Sequence, residues 1–219
     1  MTQTKAYKGV GMEGSMAKWY ATTTGKSMED FRELARRVAA ELAPGSAVLE
    51  IAPGPGYFAI ELARRGDYRI TGMDISKSFV EIARGKAAEA KVKVDFRQGN
   101  ASAMPFADDS FDFTLCRAAF KNFSEPVKAV EEMHRVLKPG GRAVIIDLRK
   151  DASKEAVNQM VEGMGLSRMN TWVTKLTFRG MLLKRAYTRA QFEEMIGRTR
   201  FTKWEIVESG IGFEITLTK

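Results

Sequence analysis

The sequence predicts an α/β fold: a doubly wound, mostly parallel sheet of seven strands, with helices on both faces and a reversed last strand. Three observations support this prediction. Between residues 27 and 148, short apolar runs alternate with amphipathic helical patterns, which is typical of parallel strands joined by right-handed crossovers. A turn rich in glycine and proline follows the first apolar run. Two β-rich runs close the chain, and the short connection at Gly210 indicates an antiparallel pair.

The elements up to residue 148 alternate regularly. They are predicted in this order: a helix from Ser27 to about Leu42, a strand, turn and helix within 48–65, a strand over 68–74, a helix to Ala90, strands over 92–98 and 111–117, a helix over 126–137 and a strand over 142–148. Ser78 and Glu81 predict a capping box for the helix that ends at Ala90.

The alternation breaks down over residues 151–185, which contain one predicted helix over 154–164 and then a mixed segment. Thr188 and Gln191 predict the cap of a further helix that ends at Ile196. The closing strands are predicted over 203–209 and 212–218.

The turn at residues 52–56 has the character of a ligand-binding loop. Gly54 and Gly56 lack a Cβ and allow the backbone to approach a ligand, and the free N–H groups of the helix beginning near Tyr57 attract a carboxylate or phosphate. Asp74 ends the second strand, where its carboxylate can accept hydrogen bonds from both hydroxyls of a ribose. Ile75 can lie against a purine. These features are typical of half of a nucleoside-binding α/β sheet.

Two familiar phosphate-binding patterns are absent from this turn. The dinucleotide pattern G-x-G-x-x-G is not met, because bulky Tyr57 and Phe58 follow Gly56. This disfavours NAD and favours a ligand with one small anionic end. The P-loop pattern is also missing from the turn, which argues against ATP hydrolysis.

Six segments in a fixed order resemble the class I S-adenosylmethionine-dependent methyltransferases, and most closely the small-molecule branch that includes the ubiquinone/menaquinone C-methyltransferases. The segments are EIAPGPG, GMDIS, Gly99-Asn100-Ala101, MPFADDSFD, EEMHRVLKPGG and RAVIIDL. The resemblance covers residues 30–150 well and 185–219 loosely. It implies a Rossmann-like methyltransferase fold, S-adenosyl-L-methionine as the cofactor and methyl transfer to a small-molecule acceptor.

The resemblance also implies a set of cofactor-binding residues. The methionine end of the cofactor is predicted to contact Glu50, Ala52, Gly54 and Gly56. The ribose is predicted to contact Asp74, and the adenine to contact Ile75, Ser76, Asn100 and Ala101. The floor beneath the sulfonium is predicted to be formed by Cys116 and Arg117. Two positions depart from the family, which usually has glycine at Ala52 and aspartate at Asn100. An asparagine can still accept from the adenine amino group through its carbonyl oxygen, although more weakly than a carboxylate.

Methyl transfer is an in-line displacement that depends mainly on alignment, so a general base is needed only if the acceptor must lose a proton. The candidate catalytic residues are Tyr20, Lys121 and Asp147. The single histidine, His134, lies far from the predicted cofactor edge and is predicted to be structural. No His, Cys, Asp or Glu cluster has metal-ligand spacing, so the sequence predicts no metal.

The length of 219 residues predicts one domain, and the resemblance implies that it is a methyltransferase domain with an N-terminal cap over 1–27 and a substrate-side insertion over 151–187. The chain is 44% hydrophobic and 28% charged, with one cysteine, which fits a globular protein in a reducing compartment. No apolar run reaches transmembrane length and no signal peptide is recognisable, so the sequence predicts a cytoplasmic protein.

The net charge of +8 is unevenly distributed, because residues 168–189 contain six cations and no acid. This basic run suits an acidic small-molecule acceptor, a nucleic acid or an anionic surface, and it is equally compatible with a solvated face. Three functions stay open at this point. The leading one is methyl transfer to a small molecule, and the others are RNA or protein methylation and cofactor binding without methyl transfer.

Overall fold

One seven-stranded sheet organises the computed structural model, which describes residues 7–8, 12–25, 28–163 and 168–219, excepting the side chains of Arg168 and Arg179. The strand order is β3-β2-β1-β4-β5-β7-β6. The first five strands are parallel, and β7 is antiparallel to both of its neighbours. The predicted fold class and reversed last strand are therefore confirmed. The strands are β1 Ala47–Ile51, β2 Arg69–Asp74, β3 Asp95–Gln98, β4 Phe111–Arg117, β5 Leu137–Leu148, β6 Lys203–Ser209 and β7 Gly212–Thr218.

The predicted helices are present in the predicted order, with ends that differ by a few residues. The described helices are α1 Gly14–Thr24, α2 Met28–Ala39, α3 Tyr57–Ala63, α4 Lys77–Glu89, α5 Pro126–Val136, α6 Lys154–Gly163, α7 Arg168–Thr177, α8 Leu183–Arg185 and α9 Arg189–Gly197. Of these, α1, α7 and α8 were not predicted. A π-helical turn, Phe178–Leu182, joins α7 to α8. The predicted helix start at Ser27 and the predicted end at Met164 lie outside the described residues. Strand β5 begins at Leu137 rather than at residue 142, with a register shift opposite β4.

Two helix caps were predicted, and one of them was wrong. The capping box of Thr188 and Gln191 is present at α9. Helix α4, however, is capped by Ser76, whose Oγ accepts a hydrogen bond from the Phe79 N–H. The helix begins two residues earlier than predicted, and Ser78 instead accepts from the Gly14 N–H.

Two apolar cores lie on opposite faces of the sheet. Helices α2, α3 and α4 cover one face around Phe58, Phe96 and Phe113. Helices α5 and α9 cover the other face around Phe192 and Phe213. Each of these rings is at most 2% exposed, and full burial of such a side chain contributes about 1.5–3 kcal/mol. The sheet is therefore a rigid platform for the loops at the ends of its strands.

A third, small cluster holds the segment between β5 and α9. It contains Val157, Val161 and Leu183, which belong to α6 and α8. Helix α7 lies between these helices in sequence and buries none of its described side chains. The insertion is thus anchored at α6 and α8, with α7 at its surface.

Candidate functional site

The carboxyl ends of β1, β2, β4 and β5 meet at one edge of the sheet, where ligands of such folds bind. The loop after β1 follows Glu50 in the chain, and Asp74 ends β2. Arg117 ends β4 and Asp147 lies near the end of β5. The topology therefore brings most of the predicted site residues to one edge.

The turn after β1 is left-handed at three positions, with φ values of +55° at Ala52, +55° at Gly54 and +78° at Gly56. An L-residue with a Cβ is strained in this region, which explains why glycine is the expected residue at position 52. A Cβ at Gly56 would lie 2.5 Å from the Phe96 ring, so this glycine serves packing rather than ligand approach. A Cβ at Gly54 would meet only Tyr20, at 3.9 Å, so the open space is above Gly54.

Asp74 ties the tip of β2 to this turn. Its Oδ2 accepts from the Gly54 N–H at 3.0 Å, and its Oδ1 accepts from the Ser76 N–H at 2.9 Å. Burial raises the pKa of the Asp74 carboxyl above its ordinary value, although both backbone hydrogen bonds oppose the shift. Two of the roughly four acceptor positions of the carboxylate are used, which leaves capacity for further donors. The adjacent Ile75 is 38% exposed and offers an apolar surface beside it.

Glu50 is buried beneath the turn and is 4% exposed. Its Oε2 accepts from the Ala59 N–H at 3.1 Å, so one of the helix N–H groups expected to attract a ligand is taken by the protein itself. Burial, with a smaller contribution from Asp74, raises the pKa of Glu50 to about 8, and the Ala59 hydrogen bond and Arg117 oppose the shift. At neutral pH this carboxyl is largely protonated in the free protein.

The residues predicted beside the adenine already have partners. The Ser76 hydroxyl donates to the Met12 carbonyl at 2.7 Å. The Asn100 Oδ1 accepts from the Ser102 N–H at 3.0 Å and retains one lone pair for a ligand. Ala101 is 9% exposed and packs in the core.

Cys116 and Arg117 cannot both line a floor beneath the cofactor, because successive residues of a strand point to opposite faces. Cys116 is 0% exposed within the core, and burial raises its pKa well above the ordinary value. The Cys116 side chain therefore packs in the core, and its contact with the cofactor stays a prediction. Arg117 points the other way, and its guanidinium stacks 4.4 Å from the centre of the Phe31 ring.

Lys121 and Asp147, two of the predicted catalytic residues, form one buried ion pair. The Lys121 Nζ donates to Asp147 Oδ1 at 2.8 Å and to the Ala118 carbonyl at 2.6 Å. The backbone N–H of Lys121 donates to Oδ2 at 2.8 Å. Ala118 adopts a left-handed φ of +59° to make this turn. The pair therefore holds the loop after β4 against β5, and neither group is free to act as a base.

Tyr20, the third candidate base, belongs to a segment that covers the turn. We call residues 12–25 the roof. The Tyr20 ring packs edge-to-face against Phe79, with 5.7 Å between ring centres. Burial raises the pKa of Tyr20, against a smaller opposing effect of Arg117. Its hydroxyl is therefore protonated at neutral pH and suits a hydrogen-bond donor better than a base.

The roof is fastened at both ends by contacts that sequence reasoning missed. At its start, the Glu13 carboxylate accepts from the Lys77 and Ser78 N–H groups at 3.2 and 3.0 Å, at the N-terminus of α4. At its end, the Tyr57 hydroxyl donates to the Ala21 carbonyl at 2.7 Å. An acid complements the positive end of a helix dipole, but Glu13 is about 64 residues from its partners, and no local pattern signals such a contact.

A second N-terminal contact lies where the loop after β4 meets the segment before α9. The Lys8 N–H donates to the Asn122 carbonyl at 2.6 Å, and the Lys8 Nζ donates to the Tyr187 hydroxyl at 2.7 Å. The Tyr187 ring in turn packs on Phe120 and Phe192. The start of the chain, the loop after β4 and the insertion therefore converge at this point.

The remaining described residues add no second site of this kind. His134 packs edge-to-face on Phe201 in α5, away from the carboxyl edge, and burial lowers its pKa. Within the described ranges, no group of three or more His, Cys, Asp and Glu side chains could hold a metal ion. In the same part of the chain, every helix is too short or too polar to cross a membrane.

Comparison with protein families identifies a methyltransferase domain over residues 49–145, which contain the turn, Glu50 and Asp74. The demethylmenaquinone methyltransferase of Deinococcus radiodurans is 39% identical over 107 residues, which are 48% of this chain and 44% of that protein. The chain thus matches less than half the length of this relative.

Two solved structures share the fold. A candidate S-adenosyl-L-methionine-dependent methyltransferase from Methanococcus maripaludis is 21% identical with a TM-score of 0.77, covering 100% of this chain and 97% of the other. The [4+2]-cyclase SpnF is 23% identical with a TM-score of 0.66, covering 86% of this chain and 80% of the other. At these identities the likeness concerns the fold alone.

Proposed function

We propose that this chain, whose residues 49–145 match a methyltransferase domain, transfers a methyl group from S-adenosyl-L-methionine to a small-molecule acceptor by in-line displacement. The observation that carries the proposal is the arrangement of Asp74 and Glu50 around the left-handed turn at Gly54. The alternatives are methylation of RNA or protein, and cofactor binding without transfer.

The donors and acceptors at the turn fit this cofactor. Residues 52–56 contain no lysine or arginine, whereas two carboxyl groups, Glu50 and Asp74, lie beside them. Such a set suits a ligand with hydroxyl and ammonium donors and is poorly matched to a pyrophosphate. The space above Gly54 lets a ligand approach the backbone closely.

When bound, the cofactor supplies an electrophilic methyl group on a cationic sulfur. The protein's contribution is to bind and align. Asp74 accepts from the ribose hydroxyls, Ile75 packs against the adenine and Glu50 faces the amino-acid end. Tyr20 and the rest of the roof exclude water from the turn.

The acceptor is proposed to be a small molecule with acidic character, of the hydroquinone or phenol type. The relative from Deinococcus radiodurans is named for a quinone substrate. The proposed acceptor side also carries cations, because Lys8 lies against Tyr187, and Arg185 lies close enough to Tyr7 to oppose the rise in the Tyr7 pKa that burial causes. A cationic mouth attracts an anionic acceptor.

The test combines cofactor binding with turnover. Calorimetry with S-adenosyl-L-methionine and S-adenosylhomocysteine should give micromolar binding. Incubation with a hydroquinone lacking a ring methyl group should then release S-adenosylhomocysteine, whereas total RNA and a protein mixture should not. Label appearing in RNA or protein would replace the small-molecule proposal. Binding with no transfer to any acceptor would favour a protein that uses this fold without methyl transfer, and absence of binding would refute the cofactor assignment.

Cofactor affinity should depend on pH through Glu50. Since the pKa of the free carboxyl is about 8 and the ligand is cationic, binding favours the ionised form and releases a proton. We expect affinity to rise about twentyfold from pH 6 to pH 7.5, because the ionised fraction rises by about that factor. Calorimetry across this range measures the effect, and Glu50→Gln should flatten the profile. A wild-type affinity that does not change with pH would contradict the contact.

The pH dependence of the free energy of unfolding, measured without ligand, gives an independent test of the raised Glu50 pKa. The folded pKa of Glu50 is raised above the unfolded value, so the folded state holds a proton that the unfolded state has lost. Stability from this group is therefore greatest below about pH 4.5 and falls as the pH rises towards 8. Denaturant titrations should show Glu50→Gln to be more stable than wild type at pH 8 and indistinguishable from it near pH 4.5.

A further inference from the structure

Helix α7 presents an unpartnered apolar stripe. Met169, Trp172, Val173 and Leu176 are 76%, 66%, 48% and 57% exposed. Their spacing of i, i+3, i+4 and i+7 places them on one face of the helix. A contiguous apolar face of this kind marks an interaction surface rather than ordinary scattered exposure.

None of the described residues packs over this stripe. The small core beneath the insertion consists of residues from α6 and α8. The polar side of α7 faces α6, because the Lys175 Nζ binds Glu162 Oε1 at 2.7 Å. The helix is therefore held in place by its polar side, and its apolar side is directed outward.

The charge around the stripe selects the kind of partner. Residues 168–189, which include α7, contain six lysines and arginines and no acid, and the chain carries a net charge of +8. Among these cations Lys184 is exposed. A second copy of the chain would bring like charges together at the stripe, whereas an anionic surface would be attracted.

We propose that α7 is a membrane-surface helix, which lies in the plane of an anionic lipid bilayer with Met169, Trp172, Val173 and Leu176 inserted at the headgroup boundary. An apolar face bearing tryptophan and leucine, combined with a basic surrounding, is the pattern of a helix that lies on a membrane without crossing it. This inference does not depend on the proposed methyl transfer, and its experiment uses no acceptor.

The first experiment follows Trp172 by fluorescence in the full-length protein. The substitutions Trp19→Phe and Trp204→Phe leave Trp172 as the only tryptophan. On addition of vesicles of phosphatidylglycerol and phosphatidylcholine, its emission should shift to shorter wavelength. Vesicles of phosphatidylcholine alone should have little effect, and the shift should weaken as salt rises, because anionic-lipid attraction is screened.

A sedimentation assay with the same vesicles provides the matched variants. Trp172→Ser should lower the partition coefficient between vesicles and water about tenfold, because the variant loses a large apolar surface that the bilayer would bury. Trp204→Ser removes another exposed tryptophan, 42% exposed on β6, and should leave binding unchanged. Both variants should keep the wild-type thermal unfolding midpoint.

Besides absence of binding to any vesicle, four results would overturn the proposal. They are equal binding to neutral and anionic vesicles, an unaffected Trp172→Ser variant, a Trp172 blue shift caused by S-adenosylhomocysteine without vesicles, and a concentration-dependent dimer that Trp172→Ser abolishes. The third would mean that α7 closes over the protein's own site. The fourth would mean that a second copy covers the stripe. Absence of vesicle binding together with capture of an acidic protein would assign the stripe to a protein partner instead.

Discussion

Asp74→Asn is expected to weaken binding of S-adenosyl-L-methionine by about a hundredfold. The proposed ribose contact gives the carboxylate two hydrogen bonds to hydroxyl groups, and each hydrogen bond to a charged group contributes about 1.5–3 kcal/mol. The substitution also turns an NH₂ group towards the Gly54 or Ser76 N–H, both of which now donate to this carboxylate. Calorimetry on the purified variant measures the loss.

The matched control for this prediction is Asp95→Asn on the neighbouring strand β3. Asp95 is exposed and pairs only locally with Arg97, at 2.6 Å, so its loss should leave cofactor affinity unchanged. Circular dichroism should show both variants folded. An Asp74→Asn protein that binds the cofactor as tightly as wild type would refute the proposed ribose contact.

The largest effect on stability is expected from Lys121→Met. This substitution leaves the Asp147 carboxylate buried, 4% exposed, without its ammonium partner. Breaking a buried ion pair from one side typically costs about 3–5 kcal/mol. We expect a loss of this size in the free energy of unfolding, measured by urea titration.

A half-exposed pair on the same sheet supplies the control. Lys138 binds Asp112 at 2.8 Å with both side chains about one third exposed, so Lys138→Met should cost less than about 1 kcal/mol. The double variant Lys121→Met/Asp147→Asn should be less destabilised than the sum of its single changes, since it removes the unpaired charge. Strictly additive losses would contradict direct coupling between the two groups.

Much of the fold was predictable because its signals are local. The Thr188–Gln191 cap, the turn at Gly54 and the closing strands each depend on residues a few positions apart. The assignment of the α4 cap to Ser78 shows the limit of such signals. Ser76 and Ser78 both suit a cap, and the choice depends on the Asp74 carboxylate, which fixes the Ser76 N–H directly after β2.

The unpredicted parts of the site are long-range contacts. Lys121 and Asp147 were both candidate catalytic residues, but their pairing across 26 residues is set by the loop after β4 folding against β5. Glu13 meets α4 across an even longer gap of 65 residues. The burial of Cys116 follows from which face of β4 it occupies, and a strand apolar on both faces gives no signal for that choice.

Because Tyr20 and its neighbours cover the proposed cofactor site, we expect cofactor capture to be a gated process. In the free protein, Met12 and Glu13 already bind residues 76–78 while Tyr20 lies over Gly54. An incoming nucleoside must displace these contacts, so the observed association rate follows the fraction of molecules with a raised roof rather than the collision frequency. The observed association rate should therefore level off as the cofactor concentration rises. The same contacts should re-form over the bound cofactor and slow its dissociation.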